Sequence, residues 1–301
     1  MESNAREAPT LSAAEFHAAR RFVDTDFGRI AYVERGEGPV ALFIHGAALN
    51  GFQWRHQLAG LSDIRRVIAP DSLGMGHTEA RAGQPLAMKD QAAMFRAFTD
   101  ALGVDRVDLV GSDSGGGAAQ IFAARNPQRI RTLALTNCEV HDHDENGPAS
   151  LRLREQIQSG ALVRSLQAGA ESPATGKAVM APFYRDARRL PDEVVATYFR
   201  PLVQSKARIE QMLGYFAAST NRDLIEIAPQ LRALDAPTLV LWGTADLFFP
   251  VKWAYWLRDN LPRVEEVVEI AGAPVFWPEE EPALLGDKLR AHWTRHADER
   301  R

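Results

Sequence analysis

Val107-Asp108-Leu109-Val110-Gly111-Ser112-Asp113-Ser114-Gly115-Gly116-Gly117-Ala118-Ala119 runs from an apolar strand signal through a turn of small residues into a helical pattern. Asp113 stands at the apex. A side chain at such a strand-to-helix corner is lifted clear of the sheet, and the backbone folds back so closely that small neighbours such as Gly111, Gly115 and Gly116 are required. The helix points its amino end at the same spot, where free N–H groups stabilise an anion. Two readings of Asp113 follow: a nucleophile held at a corner, or an aspartate that caps the helix start.

Upstream, Phe22 to Val33 reads as a hairpin, and Val40-Ala41-Leu42-Phe43-Ile44 as a strand buried on both faces. That strand ends in His45-Gly46-Ala47-Ala48, with Trp54 a short distance on, and a second short strand ends in Pro70-Asp71-Ser72-Leu73-Gly74-Met75-Gly76-His77-Thr78. Met88 to Leu102 has apolar spacings of three and four, as an amphipathic helix does. Downstream, Ile130 to Thr136 and Thr238 to Gly243 return as strands, the latter followed by Thr244-Ala245-Asp246. Strands alternating with helices imply a mainly parallel sheet covered on both faces, whose ligands bind beyond the carboxyl ends of the strands.

Together these stretches resemble the α/β-hydrolase fold family, with Asp113 where its esterases carry serine. Within the family, aspartate there resembles the haloalkane dehalogenase and epoxide hydrolase branch. The resemblance implies an eight-stranded, mostly parallel sheet with helices on both faces and an inserted helical cap. It also implies that the N–H groups of Ala47 and Ser114 form an oxyanion hole, that His45 and Gly46 belong to the loop shaping it, and that Asp246 orients a catalytic histidine. His45 reads as a brace of that loop in preference to a catalyst, and a plain turn aspartate is the other reading of Asp246. Trp54 is expected beside the substrate.

The same resemblance requires a histidine after the last strand, in a Gly-x-x-His segment followed by Glu and Pro. Here the segment is Ala271-Gly272-Ala273-Pro274-Val275-Phe276-Trp277-Pro278-Glu279-Glu280-Glu281-Pro282, Val275 holds the histidine position, and Val275 and Phe276 are expected beside the substrate. His292 and His296 lie too far along the final helix to substitute. The family's halide donors are also missing, since Ala47 and Ser114 stand at those positions, and Ala48 replaces the proline of the epoxide hydrolase pattern.

Asn137 to Asn146 is dense in ionisable groups. Such a run is commonly a solvated loop, yet it follows a core strand at the active edge, so Glu139 and His141 are candidates to face the pocket, His141 as a relocated base. Its His and Asp content also admits a metal, but no second cluster completes a shell and none is assigned. From residue 147 to 228 the strand signals stop and helical patterns take over. Phe183, Tyr184, Tyr198, Tyr215 and Phe216 there are candidates to line the underside of the cap, or to fill its core. The organisation expected is an N-terminal arm over 1–21, loose or with a short helix, a core over 22–146 and 229–301, and a cap over 147–228.

The 301 residues, 46% hydrophobic and 25% charged with a net charge of −4, describe ordinary globular material with dispersed basic residues. Nothing marks a nucleic-acid or membrane partner, and the glycines at the elbow do not form the Gly-x-Gly-x-x-Gly of a dinucleotide site. Cys138 is the only cysteine, which excludes an intrachain disulfide and a cysteine-based zinc site. The opening residues carry charges without a long apolar run, so no secretory signal is read and a cytoplasmic protein without a cofactor is expected. Three functions remain open: a hydrolase of a small apolar ester, epoxide or alkyl halide through Asp113; a lyase, isomerase or cyclase on the same fold; and a ligand-binding protein without turnover.

Overall fold

A computed structural model describes residues 8–143 and 147–297. Eight strands make one sheet: β1 (Arg21–Thr25), β2 (Gly28–Arg35), β3 (Val40–Ile44), β4 (Arg66–Pro70), β5 (Val107–Asp113), β6 (Ile130–Cys138), β7 (Thr238–Gly243) and β8 (Val264–Ile270). Their spatial order is β1-β2-β4-β3-β5-β6-β7-β8. β1 and β2 form an antiparallel hairpin and β2 meets β4 antiparallel, while every pair from β4 to β8 is parallel. All five residues of β3 are buried, as expected of a strand covered on both faces.

The chain leaves β3 for β4 on one side and then crosses to β5 on the other. Connections that diverge in this way open a crevice at the carboxyl ends of the two strands. His45 to Ala47 follow β3 directly and Asp113 ends β5, so the loop that carries Ala47 and the elbow face each other across that crevice. The β5–β6 register slips between Gly111 and Asp113, where Asp113 comes to lie opposite Cys138, and this irregularity ends the strand's regular pairing at the apex.

Between β6 and β7 the described residues form helices and no strand, from Pro148–Gln158 to Ala228–Leu231. This layer is tied down by polar contacts. Buried Arg208 donates to the carbonyls of Gly76, at 2.8 Å, and Thr78, at 3.1 Å, and Asn50 Nδ2 donates to Thr197 O at 2.9 Å. A second tie is the buried pair of Arg55 and Glu279, to whose carboxylate Tyr184 and Tyr198 donate their hydroxyls at 2.6 and 2.7 Å.

Of the two readings of the N-terminal arm, its described residues take the short helix. Ala13–Ala18 is a helix closed by a Ser12/Glu15 capping box. Its Phe16 is buried and packs edge-on against Phe52, with ring centroids 5.1 Å apart. Among the described residues no helix is long and apolar enough to cross a membrane.

Candidate active site

Asp113 has φ 54° and ψ −137°, a strained conformation for a residue with a side chain. Such strain costs about 1–3 kcal/mol and persists only where the surroundings enforce it. Tight packing enforces it here. A Cβ on Gly46 would lie 2.8 Å from Asp113 Cβ, and one on Gly115 only 2.4 Å from the His45 carbonyl oxygen, so neither position admits a side chain.

The Ala47 and Ser114 N–H groups are taken by the carboxylate itself. Asp113 Oδ1 accepts the N–H of Ala47 at 2.8 Å and of Ser114 at 2.6 Å. Burial pushes the carboxyl pKa upward, opposed by these two N–H groups, which favour the ionised form, and the net shift is upward.

His45 holds the loop that presents Ala47. Its Nε2 accepts the N–H of Ser72 at 2.9 Å, which places the ring proton on Nδ1, donated to the Gly46 carbonyl at 2.8 Å. Burial lowers its pKa, so the ring is neutral and committed on both sides. The Gly46 N–H is taken in turn by Gln53 Oε1 at 2.9 Å.

Asp246 follows β7. Its Oδ1 accepts the N–H groups of Phe248 and Phe249 at 2.8 and 3.2 Å, while Oδ2 is buried with no hydrogen-bond partner among the described residues. Burial pushes this carboxyl up to about 7, against the lowering effect of the two N–H groups and the nearby Asn137 amide. The Ala245 N–H bonds the Ala273 carbonyl at 3.0 Å, tying the loop that carries Asp246 to the one that carries Val275. Val275 is itself buried and has no polar side-chain atom to offer a carboxylate.

A cavity of about 260 Å³ opens beside Asp113. From the sheet side Ala47, Ser114, Glu139, His143, Phe249 and Phe276 line it, and from the helical layer Leu166, Met180, Phe183, Tyr215 and Phe216. It is a mostly apolar chamber with a few ionisable groups, the usual character of a small-molecule site.

Several expectations need correction. His141 is not among the lining residues; its ring stacks on Trp256 at 4.6 Å with 14° between planes, and its backbone sits at φ 48°. His143, two residues on in the same ionisable run, lines the cavity instead. Trp54 is fully buried, packed against Phe43 with ring centroids 5.1 Å apart, and belongs to the core under the site. His45, Gly46, Asp246 and Val275 are not among the lining residues either, as suits a loop brace at His45 and a supporting acid at Asp246, whereas Glu139 and Phe276 are.

Of the cap aromatics, Phe183, Tyr215 and Phe216 reach the cavity, but Tyr184 and Tyr198 spend their hydroxyls on Glu279. Burial first, then the Glu139 charge, raise the Tyr215 pKa, so its phenol stays protonated. Phe248 and Phe249 were missed; their place directly after Asp246 was the available signal.

An eight-stranded, mostly parallel sheet, an elbow at the end of β5 and an acid after β7 define a class. The chain belongs to the α/β-hydrolase fold family, whose sequence pattern matches residues 39–280. It is similar to haloalkane dehalogenase 2 of Mycobacterium bovis, 27% identical over 290 residues covering 87% of this chain and 90% of the relative. It is also similar to the cis-3-alkyl-4-alkyloxetan-2-one decarboxylase of Shewanella oneidensis, 26% identical over 257 residues covering 82% and 79%. Among solved structures, the epoxide hydrolase CorEH without ligand shares the fold at a TM-score of 0.77 and 20% identity, covering 92% of this chain and 98% of that one.

Proposed function

We propose that Asp113 is a nucleophile on carbon, acting on a small and largely apolar electrophile of the alkyl halide, epoxide or ester class. The carrying observation is the carboxylate's setting: Oδ1 is held by two backbone N–H groups on a residue that lines an apolar cavity. That leaves the second oxygen to attack. A carboxylate ionised near neutral pH needs no base for this step. With an alkyl halide, an Oδ2–carbon bond forms, the carbon–halogen bond breaks with its electron pair on the halide, and Asp113 becomes an alkyl ester. With an epoxide the ring C–O bond breaks instead, and Tyr215 supplies the proton to the alkoxide. With an ester, Oδ2 bonds the carbonyl carbon, the bond from that carbon to the alkoxy oxygen breaks with its electron pair on oxygen, Tyr215 protonates the departing alkoxide, and Asp113 becomes a mixed anhydride.

Release by hydrolysis requires water to add to the carbonyl carbon of the ester. The oxygen held by Ala47 and Ser114 then carries the negative charge, as an oxyanion hole demands. Water must also lose a proton, and Val275 cannot take it. His143 takes it instead of His141, because it is the one of the two that lines the cavity. Without a base coupled to Asp246 this step is slower by roughly 10²–10⁴, so the ester accumulates.

A second reading is favoured by the vacancy at Val275. In a lyase reaction on a strained four-membered lactone, Asp113 opens the ring at the alkyl carbon, freeing a β-carboxylate. That carboxylate leaves as CO₂, its electron pair forms the alkene, and Asp113 departs with its own bonding pair. No water is activated, so no histidine is needed. One similar protein is named as a decarboxylase of an oxetan-2-one.

Intact-mass measurement after exposure to alkyl halides, epoxides, esters and an oxetan-2-one separates the readings. A persistent adduct on Asp113 supports the slow hydrolase. Alkene and CO₂ without adduct support the lyase. Ligand binding with no adduct and no product refutes both and leaves a binding protein.

A further inference from the structure

We propose that Glu265, His292 and His296 form a binding site for a divalent transition-metal ion of the zinc class, remote from Asp113. Glu265 is the second residue of β8, at the amino end of its strand, whereas Asp113 closes the carboxyl end of β5. His292 lies in the last turn of the helix Pro282–Arg295 and His296 caps it. Four residues apart, the two imidazoles share one helix face, and their ring centroids are 5.1 Å apart.

The donors converge. Glu265 carboxylate oxygens lie 3.4 Å from His292 Nδ1 and 2.7 Å from His296 Nε2, and one donor atom from each of the three residues falls within 4.8 Å of the others. Both histidine side chains are only 3% exposed, so they are held in place instead of sampling solvent. Among the described residues no other trio of potential ligands meets this convergence.

Two imidazoles and one carboxylate suit zinc, and next to it nickel and copper; magnesium and calcium prefer all-oxygen shells. A tetrahedral ion bound at about 2.0–2.2 Å needs donors roughly 3.3 Å apart. The 2.7 Å contact between Glu265 and His296 therefore opens on the ion while the widest separation, up to 4.8 Å, closes, an adjustment that falls chiefly on Glu265, the most accessible of the three. Arg295, 3.1 Å from Glu265 Oε2 and 60% exposed, competes for the carboxylate and has room to swing into solvent. Three protein donors leave the fourth position to water. The ion would clamp the final helix to the sheet's edge strand, with no part in the chemistry at Asp113.

The test uses the untagged full chain, stripped with a chelator and titrated with Zn²⁺ by calorimetry. One-to-one saturable binding and a raised Tm are expected. His296→Gln and Glu265→Gln should each weaken binding at least about tenfold, as loss of a ligand requires. Co²⁺ loading should give the visible bands of a four-coordinate ion, lost in both variants. If His296→Gln fails to fold, Glu265→Gln, at a partly exposed carboxylate, carries the test. No saturable uptake, or uptake unchanged in Glu265→Gln, overturns the proposal and leaves the trio an ion-pair cluster.

Discussion

Asp113 Oδ1 accepts the Ala47 N–H across 2.8 Å, so the loop after β3 and the corner after β5 are joined through the carboxylate itself. One oxygen is pinned by position and the other is directed by it. Asp113→Asn keeps an oxygen for the two N–H groups but removes the nucleophile. We expect adduct formation to fall by at least about 10³ with the fold retained. Intact mass and circular dichroism check this, and an adduct that persists in the variant would place the nucleophile elsewhere.

An imidazole at position 275, on the loop tied to the one that carries Asp246, should speed release of the proposed ester. Val275→His is expected to speed ester hydrolysis by roughly 10²–10⁴. The gain should disappear when Asp246→Asn is added, because the imidazolium then lacks its counter-charge. Single-turnover decay of the adduct is the measurement; an equal gain in the double variant would sever Asp246 from the base.

Asp246 also sets a pH dependence of stability. Its pKa in the folded chain, about 7, lies above the ordinary 3.8, so between these values the folded chain binds more protons than the unfolded one. Stability attributable to Asp246 is therefore fully present below about pH 4 and is lost as pH rises through about 7, on the order of 4 kcal/mol in all. Asp246→Asn should remove this fall, gaining on the parent chain as pH rises from 4 to 8 in urea unfolding. A difference between the two that does not change with pH would refute the assignment.

The pair of Arg55 and Glu279 holds two cap tyrosines against the core. Arg55→Met leaves a buried carboxylate without its cation and should cost about 3–5 kcal/mol. Limited proteolysis should then cut first within 148–231. Cleavage confined to other regions would mean that the cap is held by Arg208 and Asn50 instead.

His143 and His141 separate by side-chain replacement. His141→Ala removes a ring stacked on Trp256 and should leave adduct decay within about twofold, whereas His143→Ala should slow it by roughly tenfold or more. Equal effects on adduct decay would end the role given to His143.

The elbow was legible because its constraint is local: glycines at 111, 115 and 116 have few uses other than close backbone approach, and Asp113 stands where the strand pattern stops. The parallel sheet was legible for a similar reason, since doubly covered strands read as unbroken apolar runs. Trp54 and His141 were misplaced because a sequence interval does not say which way a side chain turns. Tyr184 and Tyr198 could serve the cavity or the core equally well by spacing, and only the position of Glu279, some eighty residues or more away, decided between them.

The sequence by itself determined the strand-turn-helix corner, the acid after β7 and the absence of histidine at Val275, because each is a matter of which residue occupies a short and sterically demanding segment. Tertiary structure alone decided that Asp113 accepts the N–H groups of Ala47 and Ser114, that Asp246 keeps a buried oxygen with no hydrogen-bond partner among the described residues, and that His143 reaches the cavity where His141 does not. Those facts depend on long-range packing, which brings together groups that no local pattern relates.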